Sequence, residues 1–169
     1  MRERMDTGRA SGVTFHFEMP QEIPVARLEE IERLIRRGGA VGSSFVKENL
    51  HNAFLIGYAA DALGEVIGTV TLKRQKAPYR RRLEAATGLD LEGYLERGYT
   101  SVAEAWRGCG IAGDLIAGLI RRSPGQKIYV TIRMNNRPAL ELTRKNGMML
   151  AAVFRHDKTG HEIGLFVNR

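Results

Sequence analysis

The sequence predicts an α/β (α+β) fold in three layers, in which helices flank a mixed central β-sheet. The main observation is the order of the runs: one strand, helices, three strands with an insertion, a helix, a strand, a helix and two closing strands. The chain has 169 residues, which is enough to bury a core in a single domain. No internal repeat or low-complexity tract interrupts this order.

Composition and charge narrow the functional classes. Hydrophobic residues make up 43% of the chain and charged residues 27%, as in an ordinary soluble globular protein. The net charge of +7 favours an anionic partner, such as a cofactor phosphate, an acidic substrate or nucleic acid. Cys109 is the only cysteine, which excludes an internal disulfide and a cysteine-rich metal site and fits a reducing cytoplasm.

Neither a membrane segment nor a metal site is predicted. No apolar segment follows the charged first residues, and the longest apolar run, residues 148–154, is too short to span a bilayer. We therefore expect a soluble, cytoplasmic protein. The histidines show no metal-ligand spacing; they are His16, His51, His156 and His161.

The first third of the chain predicts a strand and two helices. Residues 1–12 are charged and small and are expected to form a flexible lead-in to a domain at 13–169. Residues 13–17 alternate apolar with polar side chains as a strand does. Residues 24–37 repeat apolar positions at helical spacing, and Ser43 or Ser44 is placed to cap a shorter helix that ends at Leu50.

An antiparallel strand pair and a basic insertion follow. Residues 53–60 and 66–74 are rich in strand-forming residues and are joined by a plausible hairpin turn. Residues 73–98 predict polar helical stretches at 83–87 and 91–95, with no strand. The basic residues of this insertion are Lys73, Arg74, Lys76, Arg80, Arg81 and Arg82. They favour either a solvated surface or a site that attracts phosphates.

A glycine-containing turn organises the second half. It lies between a strand-like run at 99–105 and a helical run at 113–122. Gly108 and Gly110 allow positive φ and leave the backbone open to a ligand. Because the next helix adds free first-turn N–H groups, the turn predicts an anion site such as one for pyrophosphate. A strand at 127–133, a helix at 135–146 and strands at 148–155 and 162–167 complete the chain.

This order, together with two motifs, resembles the GNAT superfamily of acyl-CoA-dependent N-acetyltransferases. The first motif runs from Arg107 to Ala112 and is similar to the superfamily pattern of Gln or Arg, two residues, Gly, one residue, then Gly or Ala. The second is Asn135-Asn136 at the start of a helix, followed by Gly147-Met148 after its end. The resemblance covers the chain from about Ala53 to the C-terminus. It implies a GNAT-like domain whose fourth and fifth strands splay apart.

The resemblance implies an acetyl-CoA site. The backbone of the fourth strand would pair with the pantetheine arm, and the glycine turn would hold the pyrophosphate. Asn136 would contact the pantetheine arm, although a simple N-cap explains it equally well. The residues that this assigns to acetyl-CoA are Thr100, Ser101, Val102, Arg107, Gly108, Cys109, Gly110, Ile111, Ala112, Gly113 and Asn136.

The resemblance also implies direct attack of an amine on the thioester. Glu96 and Glu104 are alternative general bases, and each is equally explained as a solvated carboxylate. Thr143 stands where many members carry a tyrosine acid, so the acid role is absent or moved; Tyr129 and Tyr99 are possible replacements. A nucleophilic Cys109 is disfavoured because no motif places a histidine beside it.

Three functions remain open from the sequence. The first is an N-acetyltransferase that uses acetyl-CoA, needs no metal and acts on a primary amine of unknown identity. The second is a non-catalytic acyl-CoA sensor, and the third is a basic nucleic-acid-binding protein. The resemblance makes a homodimer plausible. The acceptor site is expected near residues 43–51 and 75–98.

Overall fold

The structure is a computed structural model that describes residues 11–39 and 45–168. The predicted lead-in lies mostly outside these residues, and so do the predicted caps Ser43 and Ser44. The helices are α1 (Val25–Arg37), α2 (Val46–His51), α3 (Ala77–Thr87), α4 (Ile111–Arg121) and α5 (Arg137–Lys145). The strands are β1 (Thr14–Glu18), β2 (Leu55–Ala60), β3 (Val66–Arg74), β4 (Tyr94–Val102), β5 (Lys127–Arg133), β6 (Met149–Arg155) and β7 (Glu162–Val167).

The strands form a mixed sheet, which confirms the predicted fold class. Their order is β1-β2-β3-β4-β5-β7-β6. The β4–β5 pair is parallel, whereas β1–β2, β2–β3, β5–β7 and β6–β7 are antiparallel. None of the described helices is both long enough and apolar enough to cross a membrane.

The chain divides into two compact units. The first combines Met1–Lys73 with Arg97–Pro124. The amphipathic face of α1 packs in its core with α2, β2 and the aromatic ring of Tyr99. Fully buried side chains in this core include Ile31, Leu50 and Ile56. This unit holds the glycine turn and the second half of β4.

The second unit combines Arg74–Glu96 with Gly125–Arg169. Its core lies around Tyr129 of β5, with Leu83 of α3 and Leu165 of β7 buried beside it. Tyr79 and Tyr94 pack against this core from its edge. This unit holds α3 and the first half of β4.

Two sequence predictions about β4 were wrong. Residues 91–95 do not form a helix, because the chain turns at Gly93 with φ +76° and β4 begins at Tyr94. The strand ends at Val102, and Glu104–Trp106 forms a 3₁₀ turn instead of extending it. The early start of β4 is stabilised by its ladder with β5, a contact that is distant in sequence.

Candidate active site

The glycine turn has the conformation that the sequence predicts. Gly108 and Gly110 have φ values of +78° and +84°. A β-carbon at either position would meet no atom within 4 Å. Backbone conformation, and not lack of space, is therefore what requires glycine at both positions.

The start of α4 is open to an anion. Gly110 is its N-cap residue, and no side chain caps the helix there. The first intrahelical bond runs from Asp114 N to Gly110 O at 3.1 Å, so the preceding amides in the first turn have no carbonyl partner within the helix. These N–H groups and the helix dipole favour a negative group at this end. The residues present therefore fit a pyrophosphate.

A cavity of about 190 Å³ lies beside the second half of β4. It brings Arg107 together with the three β4 residues that the resemblance assigns to pantetheine. The lining consists of Ile35, Gly38, Tyr99, Thr100, Ser101, Val102 and Arg107. The guanidinium of Arg107 donates from Nε to the Val102 carbonyl at 3.2 Å, so this side chain covers part of the strand.

Gly38 lets the end of α1 approach this cavity. A β-carbon on Gly38 would lie 2.9 Å from Ser101 Oγ, which itself donates to the Leu34 carbonyl at 3.4 Å. The absence of a side chain at Gly38 therefore determines how closely α1 packs on β4.

Tyr99 is a conformational outlier in β4. Its φ is +49°, a value that is unfavourable for a bulky residue. Two contacts hold the side chain: Asn49 Nδ2 donates to its hydroxyl at 2.7 Å, and Lys73 Nζ lies 4.4 Å from the ring centroid. The strand is thus irregular at the point where it meets the cavity.

The parallel ladder of β4 and β5 is short. Within the described residues it contains three pairs, and the last joins Glu96 to Tyr129. Yet β4 continues to Val102 and β5 to Arg133. The predicted parting of the fourth and fifth strands corresponds to the end of this ladder.

Glu96 lies in a buried polar cluster of the second unit. Only 8% of its surface is exposed. Its carboxylate interacts electrostatically with the side chains of Tyr79 and Tyr129. Burial and then the negative charge of Glu96 raise the pKa of Tyr79 and that of Tyr129. Both phenols therefore stay neutral at physiological pH.

The other candidate base, Glu104, has a different environment. It lies at the start of the 3₁₀ turn and is exposed. The structure thus separates the two candidates by burial.

The remaining predicted site residues have simple local environments. Asn136 caps α5, with Oδ1 accepting from Ala139 N at 3.3 Å. Thr143 is fully buried, and so is Tyr129, one possible replacement acid. Cys109 is partly exposed, and no set of three or more His, Cys, Asp or Glu side chains in 11–39 and 45–168 is placed to hold a metal ion.

Several basic residues of the insertion have partners. Arg80 lies 3.8 Å from Glu84 and 3.6 Å from Glu92. The guanidinium of Arg82 is 6.0 Å from the Tyr79 ring centroid. Lys73 also lies over the Tyr99 ring, so several of these basic side chains contact other residues of the chain.

Sequence reasoning missed the contributions of Tyr79 and Asn49. Neither residue belongs to a motif or periodic pattern of the sequence. Each acts on a β4 residue that is distant in sequence: Tyr79 on Glu96 and Asn49 on Tyr99. Only the packing of α3 and α2 brings these pairs together.

Comparisons with known proteins show what this chain is similar to. Residues 21–148 match the model of the acetyltransferase (GNAT) family. Arabidopsis thaliana NAA60 in complex with acetyl-CoA has a TM-score of 0.68 at 22% identity, covering 91% of this chain and 98% of that one. The same protein with a bisubstrate analogue gives 0.65 at 24% identity, covering 91% and 97%.

A third solved structure is similar in fold. The ribosomal-protein-S18-alanine N-acetyltransferase from Escherichia coli has a TM-score of 0.68 at 12% identity, covering 92% of this chain and 93% of that one. At these identities the likeness shows a shared fold. No curated protein matches the chain.

Proposed function

Because the chain belongs to the acetyltransferase (GNAT) family and is therefore an acyltransferase, we propose that it transfers the acetyl group of acetyl-CoA to a primary amine. The observation that carries this proposal is the turn at Gly108 and Gly110, whose positive φ values precede an uncapped helix start. The acceptor is a small molecule, a peptide or a protein. A cytoplasmic location and a homodimer stay predictions from the sequence.

In this proposal the first unit holds acetyl-CoA. The amides of Gly108–Gly113 bind the pyrophosphate, including those of Cys109, Ile111 and Ala112. The backbone of Thr100, Ser101 and Val102 lies along the pantetheine arm as an added strand would. Arg107 donates to the Val102 carbonyl at 3.2 Å and so occupies one of the two acceptor positions of that oxygen.

Glu96 is the base in this proposal. Acetyl-CoA supplies an acetyl group on a thioester, and the amine must lose a proton to attack it. Glu96 is a buried carboxylate, whereas Glu104 is exposed. General base help of this kind is typically worth about 10²–10⁴-fold in rate.

No residue is assigned as acid. Thr143 is fully buried, and an aliphatic hydroxyl is a weak acid. Tyr129 is equally buried and its pKa is raised, which leaves it a poor proton donor. A thiol with a pKa of about 8.5 leaves adequately near neutral pH without help.

The test uses two variants of Gly110 that differ by one charge. Asn and Asp both tolerate a left-handed backbone better than other side chains, so Gly110→Asn and Gly110→Asp share their steric change. The Asp carboxylate occupies the anion position at the start of α4. We measure thermal unfolding of each with and without acetyl-CoA, and CoA release with a panel of amines.

We expect wild type to gain about 5–11 °C in Tm at a hundredfold excess of acetyl-CoA over Kd. Gly110→Asp loses this gain although its Tm without ligand matches or exceeds that of Gly110→Asn. A wild-type Tm that does not change with millimolar acetyl-CoA contradicts the cofactor site. Tight binding with no turnover on any amine supports the sensor instead.

A further inference from the structure

Tyr99 has an unfavourable backbone conformation within β4. Its φ of +49° lies in the left-handed region, which is uncommon for a bulky residue. Within residues 11–39 and 45–168 it is the one residue other than glycine with a positive φ, and the glycine directly before it, Gly98, has none. A conformation of this kind persists only where the surrounding structure determines it, and it often marks a functional site.

Three contacts hold the Tyr99 side chain. Its ring is buried in the core of the first unit. Asn49 Nδ2 donates to its hydroxyl at 2.7 Å. Lys73 Nζ lies 4.4 Å from the ring centroid, and a β-carbon on Gly98 would lie 2.7 Å from Lys73 Cε. Apolar packing, a hydrogen bond and a cation therefore all act on one side chain.

The conformation of Tyr99 affects the residues that follow it. The dihedral angles of one residue set the direction in which the next peptide groups point. Thr100, Ser101 and Val102 follow Tyr99 in β4, and all four residues line the cavity of about 190 Å³. The angle at Tyr99 therefore fixes how this stretch of backbone is presented to the cavity.

The hydrogen bond to Tyr99 comes from the short helix α2. Val46 and Leu50 of this helix are buried in the same core as the Tyr99 ring. Asn49 lies between them in sequence and is half-buried. Its amide holds the phenol oxygen at the far end of the ring from the backbone, so it restrains a rotation that packing alone permits less strictly.

We propose that Asn49 is a positioning residue that keeps Tyr99, and through it the β4 backbone at 100–102, in the conformation that binds the pantetheine arm. This inference rests on the proposed function, because it has meaning only if that backbone receives acetyl-CoA. It gives α2 a part in cofactor binding, whereas the sequence predicts that residues 43–51 border the acceptor.

The expected effect follows from the population of the binding conformation. Without the bond from Asn49, Tyr99 relaxes towards an extended φ in a fraction of the molecules. The apparent Kd is the intrinsic Kd divided by the fraction that keeps the binding conformation. A net hydrogen bond of ordinary strength corresponds to a change of about two- to twelvefold in such an equilibrium.

The experiment measures the Kd of acetyl-CoA and of ADP by isothermal titration calorimetry. ADP has a pyrophosphate but no pantetheine arm, so it reports on the glycine turn alone. The proteins are wild type, Asn49→Ala, Tyr99→Phe and the double variant. Tyr99→Phe removes the hydroxyl and keeps the ring in the core and beside Lys73. Tm is recorded for each protein.

Two matched controls separate positioning from stability. Tyr58 is buried in the same core, and its hydroxyl donates to Glu18 Oε2 at 2.8 Å. Tyr58→Phe therefore loses a similar hydrogen bond from β2. Asn52→Ala makes the same substitution as Asn49→Ala at the exposed C-cap of α2.

We expect Asn49→Ala and Tyr99→Phe each to weaken acetyl-CoA binding by about two- to twelvefold and to leave the Kd of ADP unchanged. Because both substitutions remove the same bond, the double variant binds no more weakly than the weaker single variant. Tyr58→Phe and Asn52→Ala keep the wild-type Kd for both ligands.

The outcomes separate this inference from the proposed function. If wild type does not bind acetyl-CoA, the proposed function fails and the inference fails with it. If wild type binds acetyl-CoA and both single variants bind it equally well, the positioning role of Asn49 is overturned alone. An equal loss of affinity in Tyr58→Phe also overturns it, since general destabilisation then explains the effect. If Asn49→Ala does not fold, Tyr99→Phe decides.

Discussion

Phe17 and Gly118 show how one residue sets the packing of a helix. A β-carbon on Gly118 of α4 would lie 2.2 Å from the Phe17 ring, so the ring rests directly on the helix backbone. Arg122 covers the same ring, with its guanidinium carbon 4.2 Å from the centroid. The ring is thus held between the helix backbone and Arg122, and moving it aside would break that contact.

We therefore expect Gly118→Ala to destabilise the protein. Overpacking of this kind costs about 1–3 kcal/mol and exceeds the gain of up to about 1 kcal/mol in helix propensity. Chemical denaturation measures the loss. Combining the change with Phe17→Leu recovers part of it, and a double variant as unstable as the sum of its singles contradicts the proposed contact.

At the scale of an element, two hypotheses explain the residue at the start of α5. Asn136 is either a helix cap only, or a cap that also contacts pantetheine. Asn136 caps the helix through Oδ1. An Asp at this position keeps an oxygen acceptor but loses the amide donor that pantetheine would need. Asn135→Asp provides the matched control, because it changes the charge one residue earlier without touching the cap.

We expect Asn136→Ala to lower stability by about 1 kcal/mol and Asn136→Asp to retain it. If the amide also binds the cofactor, the KM for acetyl-CoA rises in both variants and not in Asn135→Asp. Stable Asn136→Asp with an unchanged KM shows that the residue acts only as a cap.

Strong local patterns made several elements predictable. The apolar spacing of α1 and the runs of β3 and β5 set their positions before any contact was known. The first half of β4 could not be predicted, because Glu96 and Arg97 are charged and yet buried, which hides the usual alternation. α3 has Leu83 as its buried residue, so its periodicity is weak.

In the candidate site, too, some features could be predicted from the sequence and others could not. Gly108 and Gly110 could be predicted because the need for positive φ is local to the turn. The burial of Glu96 could not, since it depends on the pairing of β4 with β5, which is distant in sequence. Burial lowers the pKa of the neighbouring Arg97 to about 10, another effect that only the fold creates.

For the whole molecule, the net charge of +7 suggests nucleic acid as a partner. Arg80 is near two glutamates, and Lys73 and Arg82 lie over tyrosine rings. A basic side chain that already has such a contact must give it up before it can reach a phosphate. Affinity for nucleic acid depends on how many phosphates are neutralised.

We therefore expect only weak binding to a duplex. A plot of log K against log salt concentration has a slope shallower than about −3. Fluorescence anisotropy with a labelled duplex at several salt concentrations measures the slope. A markedly steeper slope, lost when Arg81 and Arg82 are replaced by Gln, would instead support a basic nucleic-acid-binding protein.

The nine residues of β4 also determine how this chain can change over evolutionary time. The strand carries the candidate base at one end and the backbone assigned to pantetheine at the other. Successive side chains in a strand point to opposite faces, so one residue inserted into β4 or deleted from it reverses the faces of the residues beyond it. We expect natural variants to differ in length only in the loops around β4 and not within the strand.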